Sequence, residues 1–398
     1  MSKEERRVPE LRFKGFHDEW EQRKVEDIAI VNTGKKDTQD AVTDGAYDFY
    51  VRSPKIERIN SYSYNGEAVL TVGDGVGVGR VFHYVNGKFD YHQRVYKISD
   101  FKNYNSLFFY YYFSDNFKYE ARKYNAKTSV DSVRREMITK MNLPDTNLNE
   151  QVQVGRFFKE IDNIITLHQR KINILETLKK VYLNVMFPNR SEDIPRLHFK
   201  FFNEAWEQRK FSEVFTKLKS YPLSRNVETT TQTGTKYIHY GDIHTKKAQK
   251  INNNSNIPYI ENKQYEILEK GDIILADASE DYQGIAEPAV IVENTDFKIV
   301  AGLHTIALRS NNAIPLYLYY LIKSSSFRKH GYRTGTGMKV FGITADNVLK
   351  FESSYPRLEQ QLKISKTLDN MDHLITLHQR KLHRLSKIKQ VYLNKLFI

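Results

Sequence analysis

A long repeated segment that ends each half of the chain constrains its fold more than any other sequence feature. Residues 149–187 align with residues 359–397 at an offset of 210 (375 − 165), and both segments contain the heptapeptide ITLHQRK. A second match opens each half, residues 9–29 against 195–215, at an offset of 186 (195 − 9), and it includes the identical run WEQRK. The chain is therefore a tandem duplication.

The segments between these matches differ between the two copies. We call the repeated opening and closing segments the frame, and the segment between them the centre of each copy. The second centre is longer by 24 residues (210 − 186), and the two centres have no evident sequence correspondence. A shared frame indicates one mechanical role, whereas unlike centres indicate that each copy addresses a different target.

The closing segment of each copy predicts a long amphipathic helix. From Val154 onward, apolar residues recur every three or four positions without an internal proline, and the second copy keeps the pattern. About 37 residues at ~1.5 Å each give a rod of roughly 55 Å, which is too long for one wall of a compact domain. We expect the two helices to pair antiparallel about a pseudo-two-fold axis, in a coiled-coil-like manner.

In such a pair the middles of the helices meet, which would explain why ITLHQRK is retained twice. The residues that we predict at this crossing are His168, Arg170, His378 and Arg380. The alternative is that both histidines simply face water. The basic flank of the second helix could also be either a solvated face or a surface for another protein.

Each centre predicts a mixed α/β domain, so the predicted fold class is α+β with two such domains separated by the helical pair. Short strands are predicted at 68–72, 80–85, 95–98, 273–276, 289–292 and 305–309, and helices at 107–119 and 316–330. The predicted segments are a first domain (1–149), a first helix (150–187), a linker (188–194), a second domain (195–358) and a second helix (359–398).

Composition limits the chemistry that this chain can perform. The 398 residues include no cysteine, which excludes disulfides, thiolate metal sites and cysteine nucleophiles. No apolar leader or run of eighteen apolar residues is present, so we expect a cytoplasmic protein without a membrane partner. The formal net charge of +13 (61 − 48) favours a polyanion such as nucleic acid as the partner.

Catalytic motifs are not evident in the sequence. The glycine-rich run 73–80, GDGVGVGR, matches neither a dinucleotide-binding nor a Walker loop, and we interpret it as a hairpin turn. Adjacent prolines, which mark amino-methylating DNA enzymes, do not occur, and the twelve histidines show no metal-ligand spacing. We therefore predict no catalytic residues and no metal site.

Two basic, hydroxyl-rich loops are the candidate DNA contacts. They follow the predicted helices, at 122–140 and 329–342, and such loops suit contacts to phosphates and to base edges. Any single residue in them could equally be an ordinary solvated side chain. The candidates in these loops are Arg122, Lys123, Lys127, Thr128, Ser129, Arg134 and Arg135 in the first copy, and Arg333, Thr334, Thr336 and Lys339 in the second. Further candidates in the second copy, outside both loops, are His244, Lys246 and Lys247.

Together these features resemble a known family. The repeated W-E-Q-R-K openings, the entry P-R-L-E-Q at 356–360 and the helix ends V-Y-L-N-x-x-F resemble the specificity subunit of type I restriction-modification enzymes. The first copy has the looser entry PDTNLNEQ. The resemblance covers nearly the whole chain.

The resemblance implies a DNA-binding subunit that directs adenine methylation or restriction by its partners. Its two target recognition domains would each read half of a bipartite site in double-stranded DNA. Two modification subunits would dock against the helices, and restriction subunits would join them. S-adenosylmethionine, ATP and Mg²⁺ would be bound by those partners, with no cofactor in this chain. The resemblance does not identify the target bases, the spacer length or the individual base contacts.

Two other classes of function remain as alternatives. The chain could be a non-catalytic scaffold that binds only proteins, which a test of DNA binding would distinguish. A self-sufficient methyltransferase or nuclease lacks support from motifs, and activity of the isolated chain would be needed to revive it.

The basic charge leads to a prediction about salt. Affinity for DNA should fall steeply as salt rises from about 50 to 200 mM, because each neutralised phosphate releases counterions. Competition binding at several salt concentrations measures the slope. A flat response would contradict a phosphate-binding role for this +13 chain.

Overall fold

A computed structural model describes residues 8–125, 132–189, 192, 194–199, 206–281, 284–337 and 340–397. The chain forms two compact units. The first comprises Met1–Arg170 with Gln379–Ile398, and the second comprises Lys171–His378. Each unit therefore holds one centre, the first part of one long helix and the last part of the other.

The first unit contains a mixed sheet, short helices and the start of a long helix. In chain order its described elements are β1 (Glu21–Lys24), α1 (Val25–Ile28), β2 (Ile30–Thr33), β3 (Tyr47–Tyr50), β4 (Ile56–Ile59), β5 (Tyr64–Val72), β6 (Phe82–Tyr91), β7 (Val95–Ser99), α2 (Ser106–Asn125), α3 (Arg135–Thr139), β8 (Asn142–Asp145) and the first part of α4 (Leu148–Val185).

The second unit follows the same general order with more and shorter strands. Its described elements are β9 (Glu207–Lys210), α5 (Phe211–Val214), β10 (Phe215–Leu218), β11 (Glu228–Thr229), β12 (Thr235–Ile238), α6 (Tyr240–His244), β13 (Lys250–Ile251), β14 (Tyr259–Ile260), β15 (Ile273–Ala276), β16 (Ala278–Ser279), β17 (Pro288–Ile291), β18 (Lys298–Ala301), β19 (Thr305–Ser310), α7 (Pro315–Lys323), α8 (Ser325–Thr334), β20 (Phe341–Gly342), α9 (Ala345–Leu349), β21 (Glu352–Tyr355) and the first part of α10 (Leu358–Leu396).

The two centres share one strand connectivity although their sequences show no correspondence. The sheet order is β2-β7-β5-β6-β3-β4 in the first unit, and β10-β19-β15-β17-β13 with β11-β14-β12-β18 in the second. In the first unit β3 pairs parallel with the end of β6, and in the second unit β12 pairs parallel with β18. The single long strand β6 therefore corresponds to two strands of the second unit, β17 followed by β18. The two centres thus share a strand connectivity that their sequences do not reveal, since many apolar sequences can fill equivalent buried strands.

The repeated opening WEQRK contributes one strand of a separate two-stranded sheet that lies just before each long helix in the chain. In the first unit β1 pairs antiparallel with β8, and in the second β9 pairs with β21 in the same way. Trp20 and Trp206, which begin the motif, are both buried. Buried Glu150, at the start of α4, accepts hydrogen bonds from the Trp20 indole at 3.2 Å and the Arg12 guanidinium at 2.6 and 2.8 Å.

The long helices are paired antiparallel within each unit, as predicted. In the first unit the ring centroids of Phe157 and Tyr392 lie 5.0 Å apart, and those of Phe158 and Phe397 lie 5.8 Å apart. The start of α4 therefore packs against the end of α10. In the second unit Phe187, just after α4, belongs to the same core as Ile364 of α10.

Equivalent ion pairs join the helices in both units. Lys389 Nζ contacts Asp162 Oδ1 at 2.6 Å, and the Tyr111 hydroxyl donates to Asp162 Oδ2 at 2.9 Å. In the second unit Lys179 pairs with Asp372, at positions offset by 210 from the first pair. Asp372 also accepts from the Tyr320 hydroxyl at 2.7 Å and from Lys250.

The backbone next to each helix end is also equivalent. Leu11 N donates to the Lys395 carbonyl at 2.9 Å, and Leu197 N donates to the Val185 carbonyl at 2.8 Å. In the second unit the two bonded residues are joined in sequence by residues 186–196. In the first unit they come from opposite ends of the sequence. The second unit thus uses one connected segment where the first uses two.

Two predicted loops are shorter than expected because the helices before them are longer. Helix α2 continues to Asn125, so Arg122 and Lys123 lie in a helix rather than in a loop, and Arg135 begins α3. Helix α8 continues to Thr334 and therefore includes Arg333. These residues lie outside the apolar pattern, but the backbone hydrogen bonds of a helix do not require apolar side chains.

The helices were also compared with the requirements of a lipid bilayer. Within the described ranges, none combines the length and the apolarity that a membrane-spanning segment needs.

The helix ends lead to a prediction about stability. The ring centroids of Phe397 and Phe108 of α2 lie 5.0 Å apart, and those of Phe187 and Tyr317 of α7 lie 5.3 Å apart. Phe397→Ala should lower the free energy of unfolding of the first unit by about 3–5 kcal/mol, because truncation leaves a cavity in its core. Hydrogen exchange should accelerate in α2 and not in α7, and Phe187→Ala should show the reverse.

Tyr119→Ala provides the control for this prediction. Tyr119 lies on α2 but is 63% exposed, so its truncation should cost less than about 0.5 kcal/mol. Equal effects of Phe397→Ala and Tyr119→Ala would contradict the docking of the helix end.

Candidate nucleic-acid interface

Three backbone segments of the first unit meet at one edge of its sheet. After β5, Gly73 N donates to the Arg94 carbonyl at 2.7 Å, and the Gly73 carbonyl accepts from Val133 N at 2.8 Å. Asp74 also forms a bridge with Ser132. We call residues 73–80, 92–94 and 132–135 the first loop edge.

The glycine-rich run forms part of this edge. It connects the antiparallel strands β5 and β6, which confirms its interpretation as a hairpin turn. Gly75 and Gly79 have φ of +77° and +64°, which side chains rarely adopt. A Cβ on Gly79 would lie 3.2 Å from Lys118 Cα, so the missing side chain lets the turn lie close to α2.

Exposed arginines surround one acidic residue at this edge. Asp74 Oδ1 lies 3.5 Å from Arg52 Nη1, and Asp74 Oδ2 lies 3.7 Å from Arg94 Nε. Burial raises the pKa of Tyr96, and the positive charges of Arg135 and Arg94 oppose that rise. The cluster has more cations than anions and suits a polyanion.

The predicted contacts of the first copy are placed in three ways. Arg134 and Arg135 are exposed on the first loop edge. Arg122 is exposed one helical turn after Lys118, and Lys123 lies in the same helix. Lys127, Thr128 and Ser129 lie outside the described residues.

The second unit builds the corresponding edge with the same backbone pattern. Asp277 N donates to the His304 carbonyl at 3.1 Å, and the Asp277 carbonyl accepts from Ile343 N at 2.8 Å. Strand β16 pairs with β20 beside them. We call residues 277–281, 302–304, 336 and 341–343 the second loop edge.

This edge presents histidine and tyrosine where the first presents arginine. His304 Nδ1 lies 3.1 Å from Asp277 Oδ1, and the ring of Tyr240 meets that of His304 edge-on at 5.3 Å. His304 has φ +55°, a conformation that is rare for residues other than glycine. Burial raises the pKa of Asp277, and the adjacent His304 opposes that rise.

The predicted contacts of the second copy fall partly on this edge. His244 Nε2 lies 2.8 Å from the Ala278 carbonyl oxygen, which places α6 against the second loop edge. Lys246 and Lys247 are exposed just after α6, and Lys246 has φ +62°. Thr336 bridges to Gly342 within the edge.

Two other predicted contacts of the second copy lie away from the second loop edge. Arg333 lines an open polar cleft together with Lys329 and Lys350. The Thr334 hydroxyl donates to the His330 carbonyl in the last turn of α8. Lys339 lies outside the described residues.

The residues predicted at the helix crossing belong to different units. His168, Arg170 and Arg380 belong to the first unit, and His378 belongs to the second. Both histidines are half-buried, whereas the two arginines are exposed. Their meeting at a symmetry axis stays a prediction.

Sequence reasoning missed four residues that lie on or beside the two edges. Arg52, Arg94, Tyr240 and His304 were not among the candidates. A signal was present, because Arg94 and His304 each directly precede a predicted strand, 210 residues apart. It could not be recognised without the strand pairing, since the centres do not align in sequence.

These edges define a class of protein. No group of three or more His, Asp or Glu side chains in the described ranges is arranged to hold a metal ion. Exposed cations, amides and rings on loops over a rigid sheet suit phosphates and base edges. The fold and the site therefore define a protein that binds nucleic acid through two α/β domains.

Comparison with known proteins gives the family. Residues 17–177 and 203–387 match the type I restriction modification DNA specificity domain, once in each half. The chain belongs to this family and is a specificity subunit, the non-catalytic DNA-recognition component of a type I restriction-modification system. The resemblance inferred from the sequence is thereby confirmed.

Individual relatives agree with this assignment. The chain is 23% identical over 430 residues to the MjaVIII specificity subunit of Methanocaldococcus jannaschii, covering 97% of this chain and 95% of the relative. It is 31% identical over 80 residues to the EcoDI specificity subunit of Escherichia coli, covering 20% and 17%. A crystal structure of a type I S subunit from M. genitalium shares the fold, with a TM-score of 0.67, 15% identity and coverage of 98% and 99%.

The first loop edge leads to a prediction about DNA affinity. Arg135→Ala should weaken binding of all sequences about equally and reduce the salt slope by about one, as expected for a phosphate contact. Lys102→Ala is the matched control, because Lys102 is exposed beyond the opposite end of β7. Competition binding measures both variants, and a similar loss for both would contradict a role specific to this edge.

Proposed function

We propose that each unit reads one half of a bipartite DNA target and that the two long helices set the unread spacer between the halves. The single observation that supports this most is the pair of loop edges. They have the same backbone hydrogen bonds but present different side chains, Arg52 and Arg94 in one and Tyr240 and His304 in the other. One frame with two different surfaces suits two different half-sites.

The helices support the proposal of two equivalent partner sites. Besides the residues that pair within each unit, both helices carry exposed apolar residues at positions related by the 210-residue offset. They are Ile164, Leu167, Leu178 and Val181 on α4, and Leu374, Leu377, Ile388 and Val391 on α10. Exposed apolar stripes of this kind mark protein interfaces. We propose that two modification subunits dock on them, one on each repeat.

The remaining activities of the system belong to those partners in this proposal. The modification subunits would bind S-adenosylmethionine and methylate adenine, and restriction subunits would use ATP and Mg²⁺. The present chain would recognise the target sequence on double-stranded DNA. We propose that the assembly works in the cytoplasm.

Competition binding with the assembled complex tests the proposal. The full chain with its modification subunits is bound to a DNA duplex that carries the methylated site mapped in the host genome. Competitors then have the first half-site scrambled, the second scrambled, or both. Each single scramble should abolish competition, because neither unit alone provides enough specific contacts.

Two results would contradict parts of this proposal. Equal competition by fully scrambled DNA would favour the alternative of a protein-binding scaffold. Dependence on only one half-site would contradict bipartite reading while leaving DNA recognition intact.

The spacer leads to a further prediction. One heptad inserted into α4 between Ile172 and Leu178, with a matching heptad in α10 between Leu382 and Ile388, keeps the 3.5-residue apolar pattern. The spacer should lengthen by about one to three base pairs, because seven residues add about 10 Å of helix and base pairs stack about 3.4 Å apart. Mapping of methylated sites measures it.

The half-sites themselves should stay unchanged in that experiment. Glu176→Gln with Lys180→Gln, which alters exposed side chains of the same segment at constant length, should leave the spacer as it is. Altered half-sites would show that the helices do more than set distance.

A further inference from the structure

Arg94 and His304 occupy the same position in the two units. Each is the last residue before the strand that neighbours the central strand of its sheet, β7 beside β5 and β19 beside β15. Each carbonyl accepts a hydrogen bond from the first residue after that central strand, at 2.7 Å from Gly73 and 3.1 Å from Asp277. The backbone therefore presents these two side chains from the same place on the two loop edges.

Both side chains are exposed, and each lies beside a carboxylate. Arg94 is 65% exposed and has Asp74 at its Nε, and His304 is 50% exposed and has Asp277 at its Nδ1. The two carboxylates come from adjacent positions in this register, since Gly73 corresponds to Asp277. A side chain that contributes to a core would be buried, whereas these are at least half exposed and each lies beside a carboxylate.

The carboxylate determines which atoms of each side chain can meet a ligand. At Arg94 it lies next to Nε, so the two terminal nitrogens remain for a second group. This pair matches O6 and N7 of guanine in the major groove. At His304 an ionised Asp277 can only accept a hydrogen bond from Nδ1–H, and in that tautomer Nε2 is the acceptor.

An acceptor in the major groove matches a different set of bases. The exocyclic amines of adenine (N6) and cytosine (N4) are the donors exposed there. His304 also keeps a left-handed backbone conformation, with φ +55°, which costs energy in a residue other than glycine. His304 lies in the connection between β18 and β19, with its side chain half exposed.

We propose that Arg94 and His304 are the equivalent base-reading side chains of the two units, Arg94 for guanine and His304 for a base with an exocyclic amine. Asp74 and Asp277 are their positioning residues. This inference rests on the proposed function and deepens it, because it names the residue and the base class in each half-site.

Substitutions in the full complex with its modification subunits test this inference, with a library of duplexes randomised in both half-sites. Arg94→Lys keeps the charge but loses the two-nitrogen fork. It should reduce the preference for guanine at one position of one half-site by about 5- to 100-fold. His304→Asn, which tolerates the left-handed conformation, should change the preference at one position of the other half-site.

Arg58→Lys is the matched control, because Arg58 is likewise a partly exposed arginine beside an aspartate, Asp48, but lies on β4 and not on the first loop edge. It should leave every base preference unchanged. In each variant, the half-site read by the unsubstituted unit is an internal control for folding. Its base preferences should match those of the unmodified complex.

The outcomes separate this inference from the proposed function. If the unmodified complex reads both half-sites but Arg94→Lys and His304→Asn keep all base preferences, the inference is wrong and the proposed function stands. If the unmodified complex shows no sequence preference, the proposed function fails first. Loss of guanine preference at one position in Arg94→Lys, with no change of preference in His304→Asn, would overturn the assignment of His304 and keep that of Arg94.

Discussion

The ends of the long helices are part of the hydrophobic cores of the units in which they end. Phe397 packs among the aromatic side chains of α2, and Phe187 packs against Tyr317 of α7. Without these contacts each unit would lose one wall of its core, and the repeated V-Y-L-N-x-x-F segments would expose their apolar residues. Because each helix starts in one unit and ends in the other, neither unit's core is complete from one copy of the repeat.

The ion pairs between the helices add register to this packing. Lys389 with Asp162 and Lys179 with Asp372 are related by the repeat, and each aspartate also accepts from a tyrosine hydroxyl. A slip of one helical turn would move these partners about 5.4 Å apart and leave partly buried charges unpaired. Burial tends to raise the pKa of Asp372, but Lys179 and Lys250 outweigh it and the pKa lies below its ordinary value. The proposed role of the helices in setting the spacer requires such a fixed register.

The loop edges show how one scaffold can carry two surfaces. The strand connectivity and the backbone hydrogen bonds around Gly73 and Asp277 agree, although the sequences of the centres do not. Inward-facing positions need only apolar side chains of suitable volume, and outward-facing loop positions are under no packing constraint. The side chains of the edges can therefore diverge while the frame stays the same.

The sequence alone determined the duplication, the mixed α/β centres, the long helices and the family, because these depend on repeats and on periodic apolar residues that are local in the chain. Of the DNA contacts proposed from the sequence, Arg134, Arg135 and Thr336 lie on the loop edges and His244 lies beside the second, but the sequence did not single out Arg94 or His304. Their significance depends on which strands pair and on which carboxylate lies beside each side chain. Only the tertiary structure decided this, because hydrogen bonds between distant segments, such as Gly73 to Arg94 and Asp277 to His304, leave no local pattern in the sequence.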